Sequence, residues 1–339
     1  MKYTNKLDLP KPLVAALKYD EYSAGHSDYT PSSLLRPAYM QKLESMHEAE
    51  LDVSDMYFAM MGKAIHKVIE VSGQGEKSFF SEERIYMKFE KWTISMMFDS
   101  LYLDAKKGVL DDYKGSTVYK FMLDERKTLP AAPDWEFQLN VGAYILRKGG
   151  YVTEPIPMSK VAPGNDCFSK VPFSPIHINE IRIIGLLRDY AKSKAKREWK
   201  YPQNPVQIRN FVIWDDDRIE GEIRERARIR DYAKENTLES TEPCSNEETW
   251  ATEDKWALMR DDRKRAIKLF SKLFLLQAYV MDKGLGERVK SEEPGLTKIM
   301  YLKKHYVEFR PGERKRCEDY CSVSHACPFY QEFKKGAKK

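Results

Sequence analysis

Two aspartates and a lysine open the chemistry of this chain. Asp99, Asp112 and Lys114 lie in the stretch Ile94 to Lys114, ISMMFDSLYLDAKKGVLDDYK, whose pattern predicts two strands joined by a polar turn. Apolar residues run up to Asp99, the turn takes in Lys106, Lys107 and Gly108, and Val109 to Lys114 alternates again. Successive side chains of a strand point to opposite faces, so Asp112 and Lys114 share one face and Tyr113 takes the other. Pairing of the two strands as a hairpin brings Asp99 towards Asp112, and two carboxylates so placed are costly unless a cation lies between them. Oxygen ligands of this kind suit Mg²⁺ or Mn²⁺, and a neighbouring lysine can orient a water or stabilise a charged transition state. Acidic and basic residues make up 32% of the chain, so a solvated hairpin with surface charges fits the bare pattern too.

A second group of chemical residues lies near the C-terminal end. Cys317, Cys321 and Cys327, in RCEDYCSVSHACPFY, cluster three thiols in one turn-rich segment. Thiolates are the soft ligands that Zn²⁺ and iron–sulfur clusters take, and a fourth ligand is needed. Cys244, in the polar EPCSNEETW, is the natural choice; Cys167 is the spare, and His325 would instead complete a Cys₃His zinc site.

The elements that must position these groups follow from periodicity and from turn and capping residues. Residues 1 to 30 read as irregular, and Thr30-Pro31-Ser32-Ser33-Leu34 starts a charged helix running towards Glu50. Asp55 to Glu70 is expected to be a helix packing Tyr57, Met61, Ile65 and Val68 or Ile69 on the core, with Gly62 and His66 one turn apart. Phe79 to Phe89 reads as a strand carrying Glu82 and Glu83, and Asp134 to Gly150 as a helix presenting Gln138 and Gly142 on one face. Pro155 to Pro175 reads as loop, Ile178 to Leu187 and 205 to 214 as strands, Glu220 to Glu235 as a structural charged helix, and Lys255 to Phe270 as a further helix. The basic run at Arg188 to Lys200, with Tyr190 and Trp199 interleaved, fits either a solvated helix face or a surface that follows a nucleic-acid backbone and stacks on bases.

With 339 residues, 42% hydrophobic and 12% aromatic, the chain is long enough for one elaborated domain or two. A formal net charge of +5 is too mild to indicate a partner by itself. The best apolar run, Leu269 to Met281, is short and contains Lys272, and MKYTNKLDLPKP lacks the apolar centre of a signal peptide, so no membrane association and a cytoplasmic location are expected. There, five cysteines read as metal ligands or buried thiols rather than as a disulfide framework.

The order histidine, aspartate, Asp-x-Lys, glutamine, then cysteine triplet resembles the RecB-like branch of the PD-(D/E)XK nuclease superfamily, with its Cas4-like and AddB-like exonucleases. The resemblance covers 30 to 150 and 240 to 330. It implies an α/β fold: a nuclease core with a mixed central sheet flanked by helices over 30–150, an insertion of mixed strands and charged helices over 151–240, and a helical C-terminal metal-cluster region over 241–339. It implies that His66, Asp99, Asp112 and the Tyr113 carbonyl hold Mg²⁺ or Mn²⁺, with Lys114 acting on the water and Gln138 supporting the site. It implies further that Cys244, Cys317, Cys321 and Cys327 hold a [4Fe–4S] cluster, Zn²⁺ being the alternative. Hydrolysis of DNA, most naturally as an exonuclease of phage type in processing or recombination, is the activity that the resemblance implies, with DNA as partner. A homo-oligomer or a recombination partner protein, and the host cytoplasm for a viral protein, belong to the same expectation. A non-catalytic nucleic-acid-binding protein with a structural metal cluster is the alternative. The chain departs from the family's pattern at Met96, where a glycine is common, and at Gly142, where a tyrosine follows the glutamine by one turn. It has no cysteine at 32 to 40, and Cys244 lies after the core instead of before it.

Overall fold

The computed structural model describes residues 2–20, 25–73, 78–104, 107–155, 168–290, 297–302 and 304–337. Lys106 of the expected turn, Cys167 and much of the expected loop before Pro175 lie outside them. Two compact units divide the chain, one formed by 1–38 and 50–237, the other by 39–49 and 238–339.

In the first unit, β1 (Lys2–Thr4) and α1 (Lys11–Lys18) occupy a stretch expected to be irregular. α2 (Pro31–Leu35) is capped by Thr30, whose side chain accepts from the Ser33 N–H while Ser33 returns the bond. The helix expected to run on to Glu50 stops there, because Arg36 precedes Pro37 and is held extended; a separate helix, α3 (Ala38–Met46), follows, all but its first residue belonging to the second unit, and Glu50 belongs to β2 (Glu50–Asp52) of the first, parallel to β1. α4 (Tyr57–Gly73) precedes the hairpin of β3 (Phe79–Phe89) and β4 (Trp92–Leu103), and β5 (Gly108–Ser116) pairs antiparallel with β4. α5 (Pro133–Lys148) has Pro133 in its first turn and ends at Gly149, whose φ of 78° is easy only for glycine.

Residues 151–240, expected as an insertion, are woven into the same sheet. β6 (Gly150–Pro155), β7 (Phe168–Phe173), β8 (Glu180–Leu187) and β9 (Val206–Phe211) complete seven strands in the order β7-β6-β3-β4-β5-β8-β9. Only β5 and β8 are parallel, through an eight-residue register from Val109↔Glu180 to Ser116↔Leu187, and every other pairing is antiparallel. The fold class is therefore α/β, with a large mixed sheet flanked by helices. After the short α6 (Lys192–Ala195), α7 (Asp216–Glu235) buries Ile219, Ile223, Ala227 and Ala233 at helical spacing. Its buried Arg230 donates to the carbonyls of Ser33 and Arg36, which α2 leaves without helical partners. Asp231 accepts from the Tyr29 hydroxyl at 2.5 Å and from the Trp92 indole at 2.9 Å, tying α7 to the start of α2 and to β4.

α5 is the helix that fixes the sheet. Phe137, Leu139, Val141, Ala143, Ile145 and Leu146 are all buried, each worth roughly 1.5–3 kcal/mol for the larger side chains. Gly142 brings this helix close: a Cβ there would sit 2.5 Å from Met96 Sδ and 3.1 Å from Leu110 Cδ2. Met96 is itself buried. The two departures from the family's pattern thus touch, and the volume gained at Met96 is balanced by volume lost at Gly142.

The second unit holds more strand than expected. Lys255–Phe270, read as a helix, is instead β10 (Lys255–Arg260) and β11 (Lys268–Phe270), and the helix begins after it as α8 (Leu273–Asp282). The reason is tertiary: β10 is central in an antiparallel sheet with β11 and with β14 (His305–Arg310), and Leu258 is fully buried against Leu276 and Val280 of α8. β12 (Gly286–Lys290) and β13 (Thr297–Tyr301) form a separate antiparallel pair, and α9 (Pro328–Ala337) closes the described chain.

The contact between Met96 and Gly142 makes a prediction about stability. Gly142→Tyr should lower the urea midpoint by an amount equivalent to about 1–3 kcal/mol or more, since the ring meets a filled core. Combined with Met96→Gly it should recover most of the loss, and additive losses in a double-mutant cycle would mean that the two residues are not exchanging volume.

Candidate metal-binding active site

The site forms where β4 and β5 part. Their backbone ladder pairs Leu103↔Gly108 through Ser100↔Asp111. At the next step the Tyr113 N–H donates at 2.7 Å to Asp99 Oδ2, a side-chain carboxylate in place of a strand carbonyl. Asp99 is thereby fixed at the mouth of the opening, and Asp112 follows on β5. Alternation along β5 sorts the charges as expected: Asp111 takes Arg182 of β8 in a two-point ion pair at 2.6 and 2.7 Å, while Asp112 and Lys114 meet each other.

Asp112 is almost fully buried. Its Oδ1 accepts from Lys114 Nζ at 3.0 Å and from Gln138 Nε2 at 2.9 Å, so α5 supplies the glutamine that the sequence pointed to. Asp112 Oδ2 lies 2.7 Å from the same ammonium but is misaligned, and it is a buried carboxylate oxygen with no hydrogen bond. The Lys114 ammonium loses solvation by burial, yet the attraction of Asp112 and Asp99 outweighs that loss and raises its pKa.

α4 delivers the histidine. His66 Nε2 lies 2.9 Å from the Tyr113 carbonyl oxygen and donates to it, which turns Nδ1 towards Glu82 Oε1 at 3.4 Å and Asp99 Oδ1 at 3.5 Å. His66, Glu82 and Asp99 place three ligand atoms within 4.8 Å of one another. Glu82 stands opposite Asp99 across the β3–β4 pair, in a position with φ +52°, an uncommon conformation for a non-glycine residue in a strand. The sequence left Glu82 and Glu83 undecided, and the expected set of His66, Asp99, Asp112 and the Tyr113 carbonyl differs from the group that converges. Glu82 joins it, the Tyr113 carbonyl is engaged by His66, and Asp112 stands beside it.

Burial pushes the Asp99 carboxyl up to about 7, helped by the Asp112 charge, and the Glu82 hydrogen bond, with Asp99 and the Tyr113 carbonyl, pushes His66 up to about 9. His66 Nδ1 thus brings positive charge between the Glu82 and Asp99 carboxyl groups. A divalent cation can take over that role: the donors are two carboxylates and an imidazole, a buried carboxylate oxygen next to them lacks a hydrogen bond, and such a set suits Mg²⁺ or Mn²⁺.

α4 meets expectation only in part. It buries none of its residues fully; of the expected stripe, Ile65 and Ile69 are half-buried on the same side as Lys63, His66 and Glu70, while Tyr57, Met61 and Val68 are exposed. Lys63 is held by the Tyr19 carbonyl at 2.6 Å and by Asp20 at 3.0 Å.

The second unit gathers the four cysteines. Cys244, Cys317, Cys321 and Cys327 line one cavity with Tyr39, Met40, Leu43, Phe329 and Tyr330, whereas His325 is exposed and does not line it. Burial pushes the Cys244 thiol up to about 12 and Cys317 to about 11, with the neighbouring thiols adding to both shifts, so the four face one another. No three of them come within 4.8 Å among the described residues, while a tetrahedral zinc with sulfur at ~2.3 Å needs sulfurs ~3.8 Å apart. Four thiols lining one cavity are a donor set of the kind that a thiolate-bound metal group takes.

No family model matches the chain, and no curated protein does. Among solved structures, the crystal structure of SSO0001 is similar with a TM-score of 0.35 and 14% identity, covering 65% of this chain and 82% of that one, a likeness too slight to carry an argument. Among the described residues no helix is long and apolar enough to cross a membrane.

The site predicts how stability depends on metal and pH. Mn²⁺ should raise the melting temperature of the protein, and Asp99→Asn or Glu82→Gln should remove that rise. In EDTA, a carboxyl raised from the ordinary range to about 7 contributes stability at low pH that is lost as pH climbs from about 4 to 7. Asp99→Asn should flatten the pH dependence across that window, and a variant that melts lower than wild type at pH 7 without metal would mean that the ionised carboxylate is stabilising.

Proposed function

We propose that the protein is a Mg²⁺- or Mn²⁺-dependent deoxyribonuclease of the PD-(D/E)XK type, acting as an exonuclease in DNA processing or recombination. The observation that carries this reading is the convergence of His66, Glu82 and Asp99 on the mouth of the β4–β5 opening, with the Asp112–Lys114 pair on the adjoining strand. A divalent ion bound there supplies a water of lowered pKa and neutralises charge on the phosphate.

Within that reading each residue has a definite task. Asp99 is held by the Tyr113 N–H, so its other oxygen is aimed at the ion. His66 turns Nδ1 towards the same place because its Nε2–H is occupied by the Tyr113 carbonyl. Asp112 fixes the Lys114 ammonium, and Gln138 fixes Asp112, leaving a cation that no rotamer change is needed to place. Lys114 then orients the attacking water or meets the negative charge that grows on the phosphoryl oxygens as the new P–O bond forms and the old one breaks. The second unit would hold a [4Fe–4S] cluster on Cys244, Cys317, Cys321 and Cys327, with Zn²⁺ as the alternative. Its task would be structural: Cys244 is far from the triplet in sequence, and a group bound only by the folded chain stabilises it directly.

End-labelled linear and circular DNA, single- and double-stranded, incubated with Mn²⁺ or with EDTA, tests the activity. Lys114→Ala and Asp112→Ala should stay folded and lose at least about 100-fold in rate, the scale of removing one preorganised charge from a transition state. Hydrolysis by either variant at the wild-type rate would reject the site, and degradation of circles as fast as linear DNA would reject the exonuclease. For the second site, anaerobically purified protein should be brown, and Cys321→Ser should bleach it and lower the melting temperature. A colourless protein with one tightly bound zinc would replace the cluster by zinc.

A further inference from the structure

Near its N-terminal end, α4 leaves the aromatic side chain of Phe58 in a particular setting. Phe58 is 56% exposed, and the Arg188 guanidinium lies over its ring at 4.0 Å. Arg188 is placed by the sheet, since its N–H donates to the Ser116 carbonyl at 3.0 Å, two residues beyond Lys114 on β5. α4 crosses the same strand: Ile65 Cδ1 is 3.8 Å from where a Cβ on Gly115 would sit, and His66 is bonded to Tyr113. The end of β5 is thus spanned by one helix from His66 at the metal-binding group to Phe58 at the guanidinium.

Between those two residues, one turn from each, is Gly62. No atom comes within 4 Å of a Cβ built there, so the close packing that would repay a mid-helix glycine is not met within the described residues. Lys192, Lys194, Lys196 and Arg197, which follow Arg188, are all exposed and have no ion-pair partner among the described residues. Tyr190 does not belong to this surface: its ring packs on Tyr201 at 5.8 Å and its hydroxyl donates to the Gln203 carbonyl.

We propose that Phe58 and Arg188 form a stacking subsite for one unpaired nucleobase of a single-stranded nucleic acid, whose backbone passes Gly62 on its way to the metal-binding group. The proposal rests on the nuclease reading above and adds to it a position along the strand. Eight residues of helix separate Phe58 from His66, about 12 Å at ~1.5 Å per residue, so the stacked base lies about two nucleotides from the phosphate at the metal group. The guanidinium covers one face of the ring, so a base of any kind stacks on the exposed remainder of Phe58 or on the outer guanidinium plane, and the four unpaired cations of the following segment attract the phosphates that follow. A duplex cannot use the subsite without releasing a base from its stack, so single strands are favoured over double strands.

Single-stranded oligonucleotides carrying 2-aminopurine at successive positions from one end, titrated with protein in EDTA, test this without any hydrolysis. One position should be quenched, and Phe58→Ala should abolish that quench and weaken single-strand binding roughly 5- to 100-fold. Phe58→Trp should keep both, Arg188→Ala should weaken both, and neither duplex affinity nor melting temperature should change with Phe58→Ala. Unchanged single-strand affinity in Phe58→Ala, equal losses for single and double strands, or quenching at every position alike would each overturn the subsite. Wild-type protein that shows the Phe58-dependent quench yet never cuts DNA with Mn²⁺ would instead overturn the nuclease reading and leave the subsite standing.

Discussion

Two carboxylates, Asp99 and Asp112, are held in the low-dielectric mouth of one strand pair, and the structure around them is arranged to make that tolerable. Both are buried, and burial first, with the Asp112 charge second, raises the pKa of Asp99. Each is answered from a different element. Tyr113 supplies an N–H, β5 its own lysine two residues on, α5 an amide, and α4 an imidazole. Removing any one partner leaves a buried oxygen with fewer bonds than it needs, which is why sheet, α4 and α5 are mutually dependent in position. Even so, Asp112 Oδ2 remains without a hydrogen bond. That oxygen is 2.7 Å from the Lys114 ammonium, so charge pairing rather than an aligned hydrogen bond meets it, and the atoms that converge for a further cation are those of His66, Glu82 and Asp99.

Much of this was legible in the sequence, because strand alternation is a local rule. Asp112, Lys114 and Asp99 could be placed from period-two patterning and one hairpin, and the glycine-terminated helix of α5 carried Gln138 to the right face. The helix period was legible too, but only part of the expected face turns inward. Ile65 and Ile69 are half-buried, as an apolar stripe should be, whereas Tyr57, Met61 and Val68 of the same reading are exposed. The inward side of α4 also carries polar contacts, His66 with Tyr113, Glu82 and Asp99, and Lys63 with Tyr19 and Asp20, which apolar periodicity does not announce. Glu82 was undecidable for a related reason: its reach to His66 depends on a backbone conformation at φ +52° that residue type does not announce.

The misread regions share another cause, which is long-range pairing. KWALMR can be read on a helical wheel, yet as β10 it is central between β11 and β14, and β14 is some fifty residues away in sequence. Likewise β8 lies beside β5 only because α5, β6 and β7 intervene as a crossover, so the segment that carries β6 to β9 looked like an addition while it is half of the sheet. Local propensity cannot distinguish an inserted strand from one that completes a sheet, since the distinction lies in the partner.

Met96 and Gly142 show the opposite case, where the residues that disagreed with a known pattern carry information once their neighbours are known. Singly, a methionine in place of a common glycine and a glycine in place of a common tyrosine look like two losses of fit. In the structure they occupy one volume: the methionine thioether fills the space above the glycine, and α5 approaches the sheet without a side chain at that point. The exchange leaves Gln138, one turn earlier on the same helix, at hydrogen-bonding distance from Asp112. The separation between helix and strand at this point is set by the total side-chain volume at the contact, and the reach of Gln138 depends on that separation.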